Sequence, residues 1–111
     1  MINKLNEYRV LWVLVFFDLP VVTKKDRKIY TRFRKFLLDD GFTMFQFSIY
    51  LRHCPSRENA IVHIRRVKMW LPQKGHIGIM TITDKQFGDM EIYYGEEKQK
   101  VETGWQQLEM F

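Results

Sequence analysis

Asp18 is the sole acid between Glu7 and Asp26, and it follows an unbroken apolar run from Val10 to Phe17. A carboxylate at the end of a buried strand needs a cation, backbone N–H groups or a metal ion. The plainer expectation is that it caps the next turn or pairs with a nearby arginine. The sharper one is metal chemistry. Mg²⁺ binds through one or two carboxylates and keeps several waters. One aspartate is too few, but two copies of Asp18 facing each other across a two-fold axis would suffice. Just beyond Asp18 lie Lys24, Lys25, Arg27, Lys28, Arg32, Arg34 and Lys35, with Asp26 as the only acid among them. Cations on an exposed helix face are usually solvated and nothing more. Their density here points to a polyanion, and amides at a helix N-terminus also favour phosphate.

Other chemistry is less well supported. Ser48 has no recognisable His and Asp partners for a hydrolase triad. His53, Cys54 and His63 match no standard zinc spacing. There is no glycine-rich phosphate loop. Phe45, Phe47, Trp70, Tyr93 and Tyr94 could stack bases, but core packing is the better expectation at these positions.

The elements that must position Asp18 can be read from periodicity. Residues 9–18 are apolar on both parities, as expected of a central strand, and Pro20 ends it. Thr23 is an N-cap with Asp26 in the capping-box position, and Ile29, Phe33, Phe36 and Leu37 form one stripe of a helix closing at Gly41. Residues 42–54 are strand, either one long element or two joined near Ser48; pattern alone does not choose. Ser56 caps a helix over 57–71 with the stripe Ala60, Ile64, Val67 and Leu71, ended by Pro72 and Gly75. Strand 76–83, one helical turn opened by Thr83 and Gln86, and strand 91–94 follow. Residues 96–107 read as polar and irregular, and Leu108–Phe111 as a short apolar flag.

This order is a two-layer α/β sandwich with both helices on one face. The first strand is apolar on both faces, so the second face needs a cover, and a second copy of the chain is the simplest. The terminal flag, Leu108, Met110 and Phe111, can add a strand to that partner's sheet.

Size and charge agree with one domain: 111 residues, 46% hydrophobic, 15% aromatic, net charge +5. The balance turns acidic from Asp84 onward, giving a basic body with an acidic end. No stretch has the ~18 apolar residues of a membrane span, and no secretory leader is expected. With Cys54 as the one cysteine, a cytoplasmic setting is expected.

Phe16-Phe-Asp18-Leu-Pro, Thr23-Lys-Lys-Asp-Arg-Lys28, Phe33-Arg-Lys-Phe-Leu-Leu38, Asp40-Gly-Phe42, Gln46-Phe-Ser-Ile49, Lys74-Gly75 and Asp84-Lys-Gln-Phe87 occur in this order. Together they resemble the CRISPR-associated adaptation protein family, the small dimeric partner of the CRISPR integrase, in the variant that accompanies single-protein effectors. The match spans roughly residues 8–95. It implies an α+β, ferredoxin-like sandwich (βαββαβ plus an extra C-terminal strand) over 1–95, dimeric through the sheet face. It implies that 42–54 is two strands, and that a 96–111 extension ends in the partner-pairing strand. It implies Asp18 as catalytic and metal-binding residue, with one Mg²⁺ or Mn²⁺ shared between protomers. Lys24, Lys25, Arg27, Lys28 and Arg32 become the nucleic-acid contacts, and Gln46 and Ser48 support the site. The implied role is spacer acquisition, with the dimer bridging integrase dimers on duplex DNA. Metal-dependent cleavage of RNA or duplex DNA is the alternative main role.

Overall fold

The computed structural model describes residues 10–95 and the backbone of 97–99. Strand β1 (Leu11–Asp18) leads to helix α1 (Lys24–Asp39), then β2 (Thr43–Gln46), β3 (Ile49–Cys54), α2 (Arg57–Met69) and β4 (His76–Thr83). A short helix α3 (Asp84–Gly88) and a hairpin of β5 (Ile92–Tyr94) and β6 (Glu97–Gln99) follow. The main sheet has the order β2-β3-β1-β4 and is antiparallel throughout. This is the ferredoxin-like βαββαβ arrangement, with β1 central as its two-sided hydrophobicity requires.

The start of α1 follows the expected chemistry. The Asp26 amide donates to Thr23 Oγ1 (3.0 Å) and the Thr23 amide to Asp26 Oδ2 (3.1 Å). The reciprocal bonds satisfy two donors that a helix start leaves free. At its other end Gly41 takes φ +90°, the Gly41 amide reaches Leu38 O and the Phe42 amide reaches Leu37 O. These are the two bonds of a Schellman motif, which needs the left-handed conformation that glycine adopts freely.

Alternate residues of β1 face opposite sides. Leu11, Val13, Val15 and Phe17 meet Phe33 and Leu37 of α1 and Ala60 and Val67 of α2. Leu37 is fully buried, and such burial contributes about 1.5–3 kcal/mol. The opposite face is half covered by the chain itself. Trp12 stacks on Phe87 of α3, with ring centroids 4.4 Å apart, and Phe45, Leu51 and Ile92 complete that second cluster. Further along, the face opens: Leu14 is half-buried, and Phe16 and Met80 are exposed. The cover expected for this face is thus supplied in part by the chain itself, and only the part around Phe16 and Met80 stays open.

The segment 42–54 is a hairpin. Gln46 pairs with Ile49, leaving Phe47 and Ser48 as the turn, and the register slips at Phe45. Ser48 takes φ +66° in place of the glycine that would have announced the turn. The slip breaks simple alternation: Phe45 is buried, whereas Phe47 is 81% exposed.

Three local expectations are corrected. Helix α2 ends at Met69, so Leu71 lies beyond it and is exposed. Gly75 sits in the approach to β4, not at the helix end. Residues 97–99, read as irregular, pair with β5 through Ile92 and Gln99. Leu108, Met110 and Phe111 lie outside the described residues. Among the described residues no helix is long and apolar enough to cross a membrane.

Candidate functional site

The last rung of the β1–β4 ladder pairs Asp18 with His76. Residues directly opposite in an antiparallel pair point to the same face. Both side chains are exposed, and with Phe16, Phe47, Ser48 and Gly78 they line an open cleft of about 730 Å³. The cleft lies at the uncovered end of the sheet face.

Backbone contacts hold this end in place. The Phe17 amide donates to the Ser48 carbonyl at 3.1 Å, tying the β2–β3 turn to β1 beside Asp18. Ser48 thus borders the cleft through the turn it forms, while Gln46 is exposed at the adjoining strand end. On the other side Gly75 packs against Asp18 and Leu19. A Cβ at Gly75 would lie 2.6 Å from the Asp18 carbonyl oxygen, and φ there is +90°. Gly78 is likewise covered: a Cβ would lie 2.2 Å from the Phe16 ring, which spreads over that bare position.

Among the described residues no hydrogen bond or ion pair engages the Asp18 carboxylate. Neither the turn-capping role nor the arginine pair is formed. Being exposed, the carboxylate is hydrated and needs no internal partner, so burial does not force a ligand upon it. Its oxygens remain free to bind one. No group of three or more potential ligands forms among the described residues of the chain. Asp18 is a hard oxygen donor suited to Mg²⁺ or Mn²⁺, and the described residues of a single chain bring too few such donors to it.

The cations are distributed less simply than their spacing implies. Lys24, Lys25 and Lys28 are exposed in the first turns of α1, with no acid paired to them among the described residues. Arg27 is also exposed, but Nη1 donates to the carbonyls of Val21 and Val22 at 3.2 and 2.9 Å. It therefore holds the β1–α1 loop as well as presenting charge. Arg32 lines a separate depression of about 310 Å³ with Lys35, Phe36 and Trp70, where Phe36 and Trp70 stack at 5.0 Å. None of the five lines the Asp18 cleft. The capping bonds, above all that from the Thr23 backbone, hold the Asp26 carboxyl below its ordinary value, so Asp26 stays ionised among these cations.

The other candidates fall into structural roles. His53 packs edge-on against Trp12, with centroids 5.0 Å apart, on the α3 side of the sheet. Cys54 is buried on the helix side, and burial pushes its thiol up. His63 lies on the buried face of α2, its Nδ1 2.7 Å from Asp40 Oδ2, while Arg66 Nη1 meets Asp40 Oδ1 at 2.9 Å. The sheet separates His53 from Cys54 and His63, so the three form no zinc site. Sequence reading missed His76, treating it only as the first residue of a strand. A coarse signal was available: an antiparallel β4 brings its start near the end of β1, but only the register puts His76 itself opposite Asp18.

A family model described as CRISPR-associated protein Cas2 matches residues 11–90. The chain is 61% identical over 109 residues to the CRISPR-associated endoribonuclease Cas2 of Flavobacterium psychrophilum, covering 98% of this chain and 95% of that one. It is 50% identical over 101 residues to the protein of the same name from Parvibaculum lavamentivorans, covering 91% and 100%. For that of Paracidovorax avenae the identity is 42% over 107 residues, covering 96% and 99%.

Proposed function

Because this chain belongs to the CRISPR-associated Cas2 family, we propose that it works in spacer acquisition as a homodimer that binds duplex DNA and bridges CRISPR integrase dimers. One observation supports this reading: the open apolar half of the sheet face, half-buried Leu14 with exposed Phe16 and Met80, ends at Asp18. A second copy seated on that half buries the patch and brings two Asp18 carboxylates together across the axis. A two-fold interface places each residue opposite its own surroundings. The lysines of both α1 N-termini then double into one cationic surface for phosphates, a contact that holds duplex by its backbone without reading bases.

The paired Asp18 carboxylates would hold one Mg²⁺ or Mn²⁺ between protomers. When bound, the ion supplies Lewis acidity at a phosphoryl group and a nucleophile at neutral pH. Asp18 holds and orients the ion, and the cleft admits the backbone. Cleavage of RNA as the main activity is the second reading. It is favoured by the relatives' name and by Phe47, whose exposed ring at the cleft suits an unpaired base.

The test is Asp18→Asn in dimeric protein. Loss of metal-dependent cleavage with spacer acquisition retained supports the bridging role. Loss of acquisition with dimer and integrase binding intact makes cleavage the main role. If both survive, Asp18 has neither function.

A further inference from the structure

The chain has three histidines, and two are engaged inside the fold: His53 against Trp12 and His63 with Asp40. His76 is exposed, and no hydrogen bond or ion pair holds it among the described residues. It stands directly across the ladder from Asp18 and lines the same cleft. Cβ atoms of such pairs lie about 4.5–5.5 Å apart, close enough for a carboxylate oxygen and an imidazole nitrogen to reach one ion about 2.0–2.2 Å from each. The packing of Gly75 on Asp18 and Leu19 keeps the two strand ends together.

We infer that His76 is a second ligand of the Asp18 ion, so that the dimeric site presents two carboxylates and two imidazoles. The inference rests on the dimeric metal reading above and deepens it by assigning the donor set. It also sets the choice of ion. Mg²⁺ selects oxygen and dehydrates reluctantly, whereas imidazole suits first-row transition ions, whose affinity rises along the series that begins at Mn²⁺. A mixed Asp–His site therefore discriminates for Mn²⁺ over Mg²⁺, which an all-carboxylate site does less strongly. It needs no third ligand from one protomer, because the two-fold doubles two donors into four.

The test uses untagged full-length dimer loaded with Mn²⁺ alone and read by pulsed electron paramagnetic resonance, which detects ¹⁴N coupling from a coordinated imidazole. The wild type is expected to show that coupling. His76→Asn is expected to lose it while still binding Mn²⁺ through Asp18. Its Mn²⁺ affinity should fall about tenfold or more, a scale at which even outer-shell partners register, with Mg²⁺ affinity nearly unchanged. Because His76 is exposed, circular dichroism and dimer content should match wild type, and His76→Gln provides a second variant. Absent ¹⁴N coupling in wild type, or coupling that persists in both variants, overturns the inference. Asp18→Asn separates the two readings. If it abolishes Mn²⁺ binding while wild type shows no nitrogen coupling, only the His76 assignment fails. If it leaves Mn²⁺ affinity unchanged, the Asp18 metal site itself fails.

Discussion

Gly75 meets Asp18 across the mouth of the cleft, so closely that a methyl group there would lie 2.6 Å from the Asp18 carbonyl oxygen. The loop before β4 is thereby pressed onto the end of β1. Gly75→Ala meets both this backbone contact and a left-handed φ, and should destabilise the fold by about 1–3 kcal/mol. Gly88→Ala is the control: nothing lies within 4 Å of a Cβ there. Thermal denaturation of the two variants should separate clearly.

The uncovered half of the sheet face should govern association. Met80 is 47% exposed, so Met80→Glu should leave the protomer folded while placing two like charges in the proposed interface. Sedimentation is expected to show a dimer for the wild type and a monomer for this variant, with unchanged circular dichroism. A dimer that survives would place the interface elsewhere.

Asp40 joins the end of α1 to α2 through His63 and Arg66, and its carbonyl accepts from Arg52 Nε at 2.8 Å. Its side chain is only 8% exposed. Asp40→Ala leaves a buried imidazole nitrogen without its acceptor, at an expected cost of about 2–3 kcal/mol in chemical denaturation. Lys35→Ala removes a pair with Asp39 in which both side chains are well exposed, and should cost less than about 0.5 kcal/mol.

Burial pushes the His53 imidazole below its ordinary value, against the opposing pull of Asp84. The unfolded chain then takes up this proton at higher pH than the folded one. The contribution is fully present above the unfolded value of about 6.5 and is lost as pH falls from there through the folded value. Stability measured from about pH 7.5 to about pH 5.5 should decline, and His53→Gln should remove part of that slope.

Duplex binding through the α1 cations should fall steeply with salt. Reversing Lys25 and Lys28 to Glu should weaken it uniformly across sequences and reduce the slope of log affinity against log salt by roughly one per lost contact. Arg27→Ala is expected to be a poorer probe, because that guanidinium also holds the carbonyls of Val21 and Val22.

Much of the fold was legible because it rests on local chemistry. Thr23 with Asp26, Ser56 with Asn59 and Thr83 with Gln86 mark helix starts through bonds spanning three residues. Gly41 marks a helix end for the same reason. The β2–β3 turn was not legible from pattern, because Ser48 adopts a positive φ without the usual glycine and the bulge at Phe45 shifts the alternation.

The sequence by itself determined the central two-sided strand, the capped helices, the cationic segment after Asp18 and the isolation of that carboxylate. Composition, periodicity and short-range hydrogen bonding suffice for these. Only the tertiary structure decided which half of the second sheet face α3 covers, that Arg32 belongs to a different depression, and that His76 stands across from Asp18. Those facts depend on strand register and on where a distant segment folds back, and register is settled by packing over the whole sheet rather than by any local run of residues.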